Sequence, residues 1–75
     1  MESFIGAVVL NAGSVLPRGF LPCDGTLLPI ARNQALFAVL GAKYGGDGIT
    51  DFAVPKLTGP DGTTYLIATR GAGPK

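Results

Sequence analysis

Apolar residues in this chain come in short runs cut by glycine, proline and aspartate, with one exception near the middle. Phe4-Ile5-Gly6-Ala7-Val8-Val9-Leu10 is rich in β-branched residues and stops at Asn11-Ala12-Gly13-Ser14, which predicts a strand and then a turn. The run does not alternate, so both of its faces are expected to be covered. Val15 to Gly19 is a connector punctuated by Pro17 and Gly19. Phe20 to Ile30 reads as a hairpin around Asp24-Gly25, a pair that tolerates the positive φ of a type I′ turn. Pro22 and Pro29 restrict its arms to edge positions or very short strands.

The exception is helical. Leu36, Phe37 and Leu40 fall at i, i+1 and i+4 and share a face. Asn33 is placed to cap the start, and Gly41 or Gly45-Gly46 to end it. A helix of two or three turns is unstable alone, so it must lie across the strands. Tyr44-Gly45-Gly46-Asp47-Gly48 then reverses the chain. Thr50 to Pro55 alternates as a strand, with Phe52 and Val54 on one side. After the turn cluster Thr58 to Gly62, the segment Thr63 to Arg70 has the strongest strand composition. Gly71 to Lys75 reads as a loose tail. The predicted order is β-β-β-α-β-β, a small α+β domain: a mixed sheet or hairpins with one short helix packed across.

Composition sharpens this picture. The chain has 75 residues, 47% of them hydrophobic and 15% charged. A domain of this size buries only about 60% of its unfolded surface and usually needs a metal, disulfides or partner subunits. Cys23 is the only cysteine and there is no histidine, so neither an internal disulfide nor a dedicated metal site is expected. Oligomerisation remains. The six basic residues are scattered and the formal net charge is +1, which argues against nucleic acid as a partner. No stretch approaches the roughly 20 apolar residues of a membrane span, and the acidic N-terminus lacks a secretory signal.

Candidate chemistry is sparse. Neutral-pH acid–base catalysis draws mainly on histidine or paired carboxylates. Here Asp24, Asp47 and Asp61 each precede glycine in turns, where backbone bonding accounts for them. Cys23 has no base beside it in the sequence and reads as a small buried hydrophobe. The loop at residues 44–48 lacks the lysine and hydroxyl of a phosphate-binding loop, and Asp47, Thr50 and Asp51 are too few for calcium. Expected catalytic residues, metals and cofactors are therefore none. The aromatics read mainly as core, with Tyr44 and Phe52 the pair left open as a stacking platform for sugars or bases.

Several segments in register resemble one family. Phe4-Ile5-Gly6, Pro17-Arg18-Gly19-Phe20, Cys23-Asp24-Gly25, Leu27-Leu28-Pro29-Ile30, Asn33-Gln34-Ala35-Leu36-Phe37, Tyr44-Gly45-Gly46-Asp47-Gly48 and Phe52-Ala53-Val54-Pro55 are similar to the phage tail collar domain family. The likeness covers about residues 4–59. Tyr65 to Thr69 resembles the closing strand of short members, so residues 1–75 read as one minimal domain with that strand at 64–70. Phe20 stands where the family usually has tryptophan, Thr58-Gly59-Pro60 replaces its usual glycine-arginine, and the histidine-bearing tip of some tail fibres has no counterpart.

The resemblance implies a non-enzymatic structural module, located in a virion tail or outside the cell. The expected partner is a second copy of the chain, in a homotrimer or a filament; the alternative is a fibre adhesin for cell-surface glycan. Unpaired strand edges are a ready route to assembly. The N-terminal strand, with Phe4, Ile5, Val8 and Val9, and the C-terminal strand, with Tyr65, Leu66 and Ile67, are the candidate edges.

Overall fold

The computed structural model describes residues 4–13 and 15–70. The elements are β1 (Val8–Asn11), β2 (Phe20–Pro22), β3 (Leu27–Pro29), a 3-10 turn (Ile30–Arg32), α1 (Gln34–Leu40), β4 (Asp51–Ala53) and β5 (Thr64–Ala68). This is the expected α+β class. The sheet expected to be mixed is instead two sheets, ordered β1-β5-β2 and β3-β4, with every pairing antiparallel.

β5 is the centre of the larger sheet. Val9 faces Leu66 on one side of it, and Leu21 faces Ile67 on the other. Leu66, Ile67 and Ala68 are all buried. An uncharged β-branched run suits a strand covered on both faces, and this is the longest such run in the closing third of the chain.

The N-terminal strand is shorter than its composition suggests. It begins at Val8 because the residues before it turn. The Ala7 N–H donates to the Phe4 carbonyl at 3.0 Å, the Gly6 N–H to the Ala68 carbonyl at 2.8 Å, and the Ala68 N–H to the Ala7 carbonyl at 2.9 Å. Gly6 and Ala7 thus both oppose Ala68, a β-bulge with glycine at its first position. Gly6 has φ +89, and a Cβ there would lie 2.7 Å from Val39 Cγ1. Both backbone and packing require glycine.

The hairpin expected over Phe20 to Ile30 does not form. β2 joins β5 and β3 joins β4. A type I′ turn needs positive φ at both central residues, and no non-glycine residue of the described chain has it; Gly25 does, at +83. Asp24 instead forms an isolated bridge with Lys56, and the segment carries the chain from one sheet to the other. The prolines keep their predicted edge positions. Cys23 N–H donates to Tyr65 at 2.9 Å and Thr69 N–H to Gly19 at 2.7 Å, so residue 22 faces outward by alternation. Val54 N–H to Thr26 at 3.1 Å and Ile30 N–H to Thr50 at 3.1 Å turn Pro29 outward in the same way.

The core joins both sheets and the helix: Cys23, Leu36, Phe52, Val54 and Ile67 are buried together. Phe37 and Leu40, from the same helical face, pack against them, and the rings of Phe37 and Phe52 lie 5.3 Å apart at 57°. Each fully buried side chain of this kind contributes about 1.5–3 kcal/mol. Asn33 precedes α1 but does not cap it; its Nδ2 donates to the Pro29 carbonyl at 2.9 Å. The Gly41 N–H bonds back to Phe37 and ends the helix. Around β4 the expected one-sided alternation gives way to burial on both faces, since Ala53 and Pro55 are buried as well as Phe52 and Val54. The expected tail, Gly71 to Lys75, lies outside the described residues.

Candidate functional site

The distinguishing surface of this molecule is its set of strand edges.

The outer edge of β4 is closed by the glycine-rich loop. Ala53 N–H donates to the Gly45 carbonyl at 3.0 Å, and Gly48 N–H donates to the Asp51 carbonyl at 2.9 Å. The Asp51 N–H donates to Asp47 Oδ1 at 3.1 Å. Asp47 organises the loop: its carboxylate also accepts from the N–H groups of Ile49 and Thr50, both at 2.8 Å, and from the Thr50 hydroxyl at 2.9 Å. These donors, the Ile49 N–H first, hold its carboxyl well below the usual carboxylate range. Gly46 lies flat on the strand; a Cβ there would stand 2.6 Å from the Phe52 Cα and 2.7 Å from the Asp51 carbonyl oxygen. The loop is a strand-edge cover made of glycine backbone and one aspartate.

The outer edges of β2 and β3 are blocked by proline. Pro22 offers no N–H, and the Phe20 N–H donates to the Pro17 carbonyl at 3.3 Å. Pro29 offers none either, and its carbonyl accepts from Asn33. Leu27 alone keeps an outward N–H there.

The outer edge of β1 is different. The bulge bonds at Ala7 fix the alternation, so Ala7, Val9 and Asn11 bond to β5 while Val8 and Leu10 face away. Among the described residues their N–H and C=O groups have no backbone partner outside the sheet ladder. The side chains are apolar and half exposed: Val8 is 42%, Val9 38% and Leu10 48% accessible. No charge or proline interrupts β1, as edges usually require. Nearby, exposed Val15 and Leu16 share a cavity of about 170 Å³ with Pro22 and Leu66, on the face of the sheet that carries Val9.

The predicted assembly residues therefore separate. Val8 and Val9 lie on a real edge strand. Phe4 is exposed before it, and Ile5 packs against the core. Tyr65, Leu66 and Ile67 sit in the central strand, paired on both sides, so the expectation of a free C-terminal edge is corrected. The outward role of Leu10 was not among the expected residues; the unbroken absence of charge from Phe4 to Ala12 is the signal that points to it.

The other candidates are structural. Cys23 is buried, and burial, with a smaller contribution from the Asp24 carboxylate, pushes its thiol pKa up, away from a nucleophile. Asp24 is lowered chiefly by the Thr26 hydroxyl and serves its own turn. Phe52 is completely buried, as the core reading of the aromatics has it, so it forms no stacking platform with Tyr44; Tyr44 stands exposed beside Lys43, whose Nζ lies 5.3 Å from the ring centre. Among the described residues no group of three His, Cys, Asp or Glu could hold a metal ion, and no helix is long and apolar enough to cross a membrane.

Fold and surface together define a small antiparallel α+β module, in which the carboxylates of Asp24 and Asp47 serve a turn and a strand edge. Comparison with protein families matches residues 6–60 to the phage tail collar domain. The chain belongs to the phage tail collar domain family, a family of structural phage-tail proteins. Neither the curated proteins nor the solved structures yield a match to it.

Proposed function

We propose that this chain is a non-enzymatic, self-associating building block of a phage-tail-type fibre. The supporting observation is the apolar surface around β1, where Phe4, Val8, Val9 and Leu10 are exposed with Val15 and Leu16. Apolar side chains exposed along an uncovered edge strand favour an interaction there. Family membership supports a place in a virion tail. A trimer or a filament is the form expected of a collar module. The alternative, a glycan-binding adhesin, now rests on Tyr44 as its exposed aromatic.

Multi-angle light scattering of the purified chain at micromolar concentration tests the reading. An oligomer is expected. A monodisperse monomer overturns self-association, and a glycan array that lights up only with Tyr44 intact replaces it with the adhesin.

A further inference from the structure

Resting on that self-association, we propose that the chain pairs through β1 with β1 of a second copy, antiparallel about a two-fold axis through Val9. β4 is covered by its loop, and β2 and β3 present proline where an incoming strand needs a donor. β5 is internal. Among the described residues this leaves β1 as the one edge offering successive outward donors and acceptors. An edge of this kind recruits another strand. Among the described residues a single pairable edge has only the same edge of another copy to meet, which makes the contact isologous and closed.

The register follows from the alternation. Outward groups belong to Val8 and Leu10. Placing Val8 opposite the second copy's Leu10, and Leu10 opposite its Val8, satisfies every outward N–H and C=O of both. Centring on Val8 or on Leu10 instead pairs only that residue within β1 and sets the other against chain outside the strand. Val9 then meets Val9 across the axis as a non-hydrogen-bonded pair, with Cα atoms about 4.5 Å apart. Two three-stranded sheets become one of six strands. Strand pairing by itself stops at two copies, so a trimer or a filament of this chain requires a second surface.

Two tests address Val9. Val9→Cys is oxidised with oxidised glutathione beside Leu27→Cys, an exposed position on the proline-blocked β3 edge, at a concentration where the wild type scatters as an oligomer. The Val9 pair falls within the range of about 4.4–6.8 Å that a disulfide spans. Val9→Cys is expected to form covalent dimers at least about tenfold faster than Leu27→Cys. Equal rates overturn the pairing. Val9→Lys and Val9→Glu provide a second, reversible test, with circular dichroism as the check on folding. Each alone sets like charges opposite each other and is expected to weaken the dimer by about tenfold or more, and mixing the two restores it. Undiminished dimerisation of either variant, or no rescue on mixing, overturns the pairing. A wild type that remains oligomeric while these tests fail leaves self-association standing by another surface. A monomeric wild type overturns both readings.

Discussion

Gly46→Ala probes the covered β4 edge. The glycine has φ +86, and its missing side chain faces backbone: the Phe52 Cα at 2.6 Å, the Asp51 carbonyl oxygen at 2.7 Å and the Asp51 carbonyl carbon at 2.9 Å. Backbone in a paired strand cannot swing aside as a side-chain tip can. Adopting positive φ with a Cβ costs about 1–2 kcal/mol. Forcing an extra carbon into a filled space costs about 1–3 kcal/mol. The sum, about 2–5 kcal/mol, is a large share of the roughly 4–11 kcal/mol expected of a 75-residue domain. Gly62→Ala supplies the control, because Gly62 also has positive φ, at +79, but nothing lies within 4 Å of its would-be Cβ. Urea unfolding followed by far-ultraviolet circular dichroism, at one protein concentration for all variants, compares the two. With a slope of about 1 kcal/mol/M for a chain this small, the midpoint of Gly46→Ala should fall about 1–3 M below that of Gly62→Ala. Midpoints that coincide would refute the packing of this loop against β4.

Three further outcomes are expected. Gly6→Ala should destabilise by about 2–3 kcal/mol in the same urea assay, less than Gly46→Ala at the upper limit, because Val39 Cγ1 is a side-chain atom that can yield. Asp47 is harder to protonate folded than unfolded, so its stabilisation is present above the unfolded carboxylate pKa of about 3.9 and is lost as pH falls below it. Asp47→Asn should therefore lower the urea midpoint at neutral pH and flatten its decline between about pH 5 and pH 2; a decline as steep as in wild type contradicts the assigned role. Cys23 should resist a thiol-specific colorimetric reagent at about pH 8 and react fully once urea unfolds the chain; fast labelling in the native state would show that the core is open.

Much of the fold is legible in the one-dimensional pattern. The helix at Leu36-Phe37-Leu40, the strand at Tyr65 to Ala68, the edge positions of Pro22 and Pro29 and the chain reversal at Gly45-Gly46 all follow from local rules of periodicity and backbone freedom. So does the family, because its motifs are largely these same local devices in order. Pairing is another matter. Asp24-Gly25 satisfies the local preference for a hairpin, yet its two arms enter different sheets, since each finds a better partner far along the chain.

Residue types alone thus determined which segments extend, which coil and where the chain bends, and they determined the shortage of charge in this small domain. Only the tertiary structure decided which strand is central and which edges stay open. β5 and β1 read alike as apolar runs, but β5 is bonded on both sides and β1 on one. Edge status is a property of what lies beside a strand. It depends on the glycine-rich loop just before β4 folding back over that strand, and on prolines whose missing donors face outward only once the register is set.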